Sequence, residues 1–68
     1  MTITVLVNGE RRALHTPIEL GALVARFTAA PSGVAAALNE TVVPRSRWAV
    51  TPLSEGDRVE ILTAVQGG

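Results

Sequence analysis

The order of elements readable along this 68-residue chain predicts an α+β domain: a mixed five-stranded sheet with one main helix packed on one face, the β-grasp arrangement. Three observations carry that expectation. A period-two apolar run ends in Asn8-Gly9, the strongest short hairpin signal. One stretch, and only one, carries apolar residues at helical spacing, so the single helix has only a sheet face to bury its stripe against. A second period-two run closes the series of strands and can lie parallel to the first, because the intervening helix supplies the crossover that parallel neighbours require.

The first strand is marked by Ile3, Val5 and Val7 alternating with Thr2, Thr4 and Leu6. Asn8 tolerates and Gly9 prefers the positive φ of a type I′ turn, so Glu10 to His15 is expected to return antiparallel. A two-residue turn pairs Val7 with Glu10, Val5 with Arg12 and Ile3 with Leu14, which predicts a polar hairpin tip and a buried Ile3–Leu14 end. Thr16-Pro17-Ile18-Glu19 has the form of a capping box with proline at the first helical position. Leu20, Leu23, Val24 and Phe27 then make one apolar stripe with Arg26 off it, and Gly21 weakens the helix. Pro31-Ser32-Gly33 predicts its end near residues 28–30. The run Val34 to Leu38, bounded by Gly33 and Asn39, is too short for a helix and is expected to be a strand covered on both sides. Asn39-Glu40 turns the chain into Thr41-Val42-Val43, which Pro44 ends. Arg45 to Val50 is expected to form an irregular turn carrying Trp48, and Ser54 to Asp57 a turn. The last strand, Arg58 to Thr63, places Val59 and Ile61 inward and Arg58, Glu60 and Leu62 outward. The domain is expected to occupy residues 1–63, with 64–68 as a flexible tail.

Composition narrows the chemistry. No cysteine is present, which excludes disulfides, thiolate metal sites and a cysteine nucleophile. One histidine, His15, cannot build a histidine metal site, and a lone histidine at the edge of a small domain is given no role here. Six arginines balance six carboxylates, and Trp48 and Phe27 are the only aromatics, so neither a phosphate-tracking surface nor a base-stacking platform is expected. A domain of this size buries only about 60% of its unfolded surface, which leaves little room for an enclosed substrate cavity. The expectation is a protein that is not itself an enzyme, is monomeric when free, and binds no cofactor, metal, nucleic acid or membrane. No apolar run approaches the roughly 20 residues of a membrane span, and Met1-Thr2-Ile3-Thr4 lacks the basic start of a signal peptide, so the cytoplasm is the expected compartment.

What remains is the end of the chain. Two glycines closing a sequence by chance has a probability of about 0.5%. One reading is a frayed terminus; the other is a carboxylate on a slender arm, with no side chain beyond Gln66, that threads a narrow channel into a partner enzyme. Arg45 and Arg47 flank Trp48, which is expected to pack its indole; the arginines are left without an assigned role. Leu62, with Leu6 and Val42, is a candidate apolar docking patch on the uncovered sheet face.

Residues across the whole chain also carry a family resemblance. Gly33-Val34-Ala35-Ala36-Ala37-Leu38-Asn39, then Val42-Val43-Pro44-Arg45-Ser46-Arg47-Trp48, then Leu53-Ser54-Glu55-Gly56-Asp57-Arg58-Val59-Glu60-Ile61 and the final Gly67-Gly68 resemble ThiS, the ubiquitin-like sulfur carrier family of thiamine biosynthesis. Alanine at 36 and 37 and glutamine at 66 depart mildly from the family pattern. The resemblance implies that the Gly68 carboxylate is adenylated by a ThiF-type partner using ATP and Mg, and that sulfur from a persulfide enzyme then replaces AMP. The resulting thiocarboxylate is consumed by a ThiG-type thiazole synthase. Gly68 is then a substrate group, with Gly67 and Gln66 as the tail that presents it. The alternatives are a sulfur carrier for molybdopterin or another metabolite, with the same carboxylate chemistry, and a ubiquitin-like protein modifier.

Overall fold

The computed structural model describes residues 1–28 and 33–63. Five strands, β1 (Thr2–Val7), β2 (Glu10–His15), β3 (Val34–Leu38), β4 (Thr41–Val43) and β5 (Arg58–Thr63), form one sheet in the order β2-β1-β5-β3-β4. The helix α1 (Leu20–Phe27) covers one face, and a 3-10 segment, Arg45–Val50, joins β4 to the loop before β5. Of the sheet's neighbours, only β1 and β5 run parallel. This is the expected β-grasp topology.

The first hairpin follows its sequence. Asn8 and Gly9 have φ of 51° and 84°, the left-handed pair of a type I′ turn, and the register joins Val7 to Glu10, Val5 to Arg12 and Ile3 to Leu14. Burial differs from the expected gradient toward the tip. Val5 and Val7 are fully buried, whereas Glu10 and Arg12 opposite them are exposed. The reason is position in the sheet: β1 is central between β2 and β5, and β2 is an edge.

The helix does not begin with the expected capping box. Glu19 is the N-cap, without a side-chain cap bond, and Leu20 is the first helical residue. The Thr16 hydroxyl and backbone N–H instead both donate to the Met1 carbonyl, at 3.2 and 2.8 Å. A long-range contact decides this. Glu19 forms a β-bridge with Pro52, flanked by Leu53 N–H to the Ile18 carbonyl (3.0 Å) and Leu20 N–H to the Thr51 carbonyl (2.8 Å). The bonds run through the neighbours of Pro52, so its missing N–H is not needed. Residues 18 and 19 are held extended by that bridge, and the helix starts after it.

Leu20, Leu23 and Val24 are buried, but Phe27 is 40% exposed, with the Arg12 guanidinium 5.4 Å from its ring centroid. Phe27 ends the helix at the sheet's β2 edge, where the stripe overruns the surface it can cover. Helix α1 is followed by Thr28 in extended conformation. The expected end near residues 28–30 runs into 29–32, which lie outside the described residues.

Strand β3 is covered on one face only, against expectation. Ala36 is buried and Ala35 exposed, because α1 is the only helix among the described elements and lies on the other side. Trp48 is buried in the core with its indole N–H donating to the Val43 carbonyl at 2.9 Å, and the Arg45 guanidinium lies 5.9 Å from its ring. The expected turn at Ser54–Asp57 is present and is tied to β1. Gly56 N–H donates to the Thr4 carbonyl, and Thr4 N–H donates to the Glu55 carboxylate.

Candidate functional site

Two features bear on function: the strand that carries the C-terminal residues, and the sheet face that α1 leaves open. The strand is β5, held on one side by β1 and on the other by β3, with Thr63 opposite Val34. Strand β1 leaves the ladder at Asn8, whose positive φ turns the backbone away. Its side chain continues the pairing: Ile61 N–H donates to Oδ1 (2.8 Å) and Nδ2 donates to the Ile61 carbonyl (3.1 Å). An amide side chain thus takes the place of a peptide group beside β5, two residues before Thr63, the last described residue. Asn39 does the same at the other end of the strand, accepting from Arg58 N–H at 2.9 Å and donating through its own backbone to the Arg58 carbonyl at 2.7 Å. Glu40 follows it with φ of 73°.

Gly68, Gly67 and Gln66, the expected tail residues, lie outside the described residues, as does the whole of 64–68. The docking candidates are described. Pairing places Leu62 opposite Ala35, and Ala37 opposite both Val42 and Glu60, so these five side chains share the uncovered face. Leu62 and Val42 are 69% and 72% exposed and line one recess with Asn8, Ala35, Ala37 and the carboxylates of Glu40 and Glu60. Leu6 is partly buried and pairs with Arg58, on the far side of β5. It lines a neighbouring recess with Gly9, Arg58 and the same two glutamates. The three candidates are therefore on one face but not in one patch. His15 is exposed at the edge strand, opposite Thr2.

Sequence reasoning missed the role of Ala35 and Ala37 as the floor between Val42 and Leu62, having treated β3 as covered on both sides. Val34–Leu38 is apolar throughout, so no polar residue marks its outward face. Gly21 faces the 3-10 segment. A Cβ there would lie 3.4 Å from the Trp48 Cβ and 3.5 Å from its carbonyl carbon, ordinary contact distances that alanine would also fit.

The ThiS family model matches residues 5–68, from the middle of β1 through the terminal diglycine. The chain belongs to the ThiS family. A solved structure of a thiamine biosynthesis protein (ThiS) from Geobacter metallireducens is similar, with 26% identity and a TM-score of 0.78. The match covers 97% of this chain and 100% of that one. No curated protein sequence matches the chain. Family membership and the fold thus agree with the resemblance carried by the residues. Among the described residues no helix is long and apolar enough to cross a membrane, and no group of three or more His, Cys, Asp or Glu is placed to hold a metal ion.

Proposed function

We propose that this ThiS family member is a sulfur carrier of thiamine synthesis, a substrate protein rather than a catalyst, and that the reacting group is the Gly68 carboxylate. The observation that carries the reading is a family match that spans the domain and continues through Gln66-Gly67-Gly68. The chemistry follows from the group itself. A free carboxylate is a poor acyl donor, so its oxygen attacks the α-phosphorus of ATP on a ThiF-type partner, with Mg stabilising the charge, and pyrophosphate leaves. The terminal sulfur of a persulfide then attacks the acyl carbon and expels AMP. Thiol reduction of the resulting disulfide releases the thiocarboxylate, the sulfur donor for a ThiG-type thiazole synthase. ATP and Mg belong to the adenylating partner. Glycine at 67 and 68 offers no side chain to hinder approach to that carbonyl.

Incubating the chain with the adenylating enzyme, Mg–ATP and a persulfide source is expected to replace one oxygen by sulfur in the intact mass. Deleting Gly68, or adding one residue after it, is expected to abolish the replacement; conversion that survives either change overturns the assignment. A host lacking the gene is expected to need thiazole or thiamine. A requirement for neither overturns the pathway, and a Gly68-dependent ladder of protein adducts makes the chain a modifier instead.

A further inference from the structure

We propose that the outer edge of β2, with the groove between it and α1, takes an extended segment of a partner protein as a sixth strand, one that carries an apolar side chain and a carboxylate on the side facing α1. The site stands apart from the carrier chemistry and lies two strands from β5. Backbone comes first. β2 and β4 are the edges of the sheet, and only one of them is blunted. β4 has three residues and is followed by Pro44, whereas β2 has six, free of proline and paired with β1 without a bulge. Thr16 N–H donates to the Met1 carbonyl, which fixes the parity of the ladder: Glu10, Arg12 and Leu14 bond to β1, and Arg11, Ala13 and His15 turn their N–H and C=O groups outward. Among the described residues no strand lies on that side.

Side chains then choose the occupant. The groove is lined by Arg12, Ala13, Leu14, Leu23, Arg26 and Phe27. Leu14 and Leu23 are buried, and the Phe27 ring is left 40% exposed, an apolar contact for a side chain from outside. Arg12 lies over that ring and contacts Glu10 at 2.9 Å, while Arg26 makes no ion pair among the described residues. Two guanidiniums and no carboxylate thus line the groove. Charges on an edge strand repel a like-charged neighbour, and here they select an acidic one. A second copy of this chain pairing by the same edge would set Arg11 and Arg12 against their own counterparts. A nucleic acid offers no alternating ladder of donors and acceptors to match the outward peptide groups. An acidic, partly apolar strand supplies both the ladder and the charge.

The test titrates the full chain with a capped peptide repeating valine, threonine, glutamate and threonine, which sets valine and glutamate alternately on one side of a strand. Backbone amide NMR is the readout. The Arg11, Ala13 and His15 amides are expected to shift and to exchange more slowly with solvent. A peptide with lysine in place of glutamate is expected to bind roughly tenfold more weakly, as is the glutamate peptide to Arg26→Glu, with a flatter salt dependence. Ala13→Pro removes an outward N–H while leaving the bonds to β1, and is expected to abolish binding with little change in melting. A fully N-methylated peptide, which has no N–H to donate, is expected to fail in the same way without any change to the chain. Equal binding of the lysine or N-methylated peptide, or shifts that fall away from β2 and α1, overturns the proposal. A dimer of the chain alone that Ala13→Pro dissolves assigns the edge to a second copy and also overturns it. Thiocarboxylation is expected to persist in Ala13→Pro, so failure of the edge site and failure of the carrier reading are told apart.

Discussion

Asn8 does two jobs that the dipeptide Asn8-Gly9 announces only in part. Its backbone at φ 51° makes the turn, and its side chain closes two hydrogen bonds with Ile61 across 53 residues of sequence. The turn is a local property and is legible in the sequence; the partner is not, because it depends on β5 lying beside β1. Substitution separates the two contributions. Asn8→Gly keeps the left-handed conformation and loses both bonds, and is expected to cost about 1–2 kcal/mol in urea unfolding. Asn8→Ala adds the strain of a Cβ at positive φ, and is expected to cost about 1 kcal/mol more. Equal costs would show that the backbone conformation contributes nothing.

Among the elements, α1 shows how tertiary contact overrides local signals. Its eight residues span about 12 Å, too short to be stable alone, so packing against the sheet rather than capping holds it. That is why a well-formed capping sequence, Thr16 to Glu19, is left unused: the bridge between Glu19 and Pro52 fixes where the helix begins. Gly21 tests the balance between propensity and packing. A methyl group there meets Trp48 at ordinary contact distance, 3.4–3.6 Å. Gly21→Ala is therefore expected to stabilise the fold by about 0.5–1 kcal/mol, the helix-propensity gain. Gly21→Leu is expected to destabilise by about 1–3 kcal/mol through overpacking against Trp48, and a denaturant melt of the two variants checks both signs. Strand β3 was misread for a related reason. An alanine-rich run has no polar residue to mark its outward face, so burial on one side and on both sides look alike in sequence.

For the whole molecule, the expected division of labour is between residues 1–63 as the folding unit and 64–68 as the reacting end. Among the described residues, every buried core residue lies between Ile3 and Ile61. A chain ending at Thr63 is therefore expected to melt within a few degrees of the full-length protein, the range of a change below about 1 kcal/mol, while losing all conversion to thiocarboxylate. A large drop in melting temperature would show that residues 64–68 belong to the folded unit. With neither cysteine nor lysine, the chain carries no thiol or side-chain amine that, in the proposed carrier function, would attack an activated carboxyl.

Strand boundaries, the left-handed turn at Asn8-Gly9, a turn at Asn39-Glu40, the parallel pairing of β1 with β5 and the diglycine end were all legible in the sequence. Each is set by residues close in sequence or, for the parallel pair, by the single crossover a lone helix permits. The start of α1, the exposure of Phe27, the packing of Gly21 on Trp48 and the recess over Ala35 and Ala37 emerged only from the tertiary structure. These depend on which segments meet across the fold: Glu19 with Pro52, Phe27 with Arg12, Gly21 with Trp48, and Ala37 with Val42 and Glu60. Local physics chooses among conformations of a few residues. Only packing decides which of their side chains are left facing water.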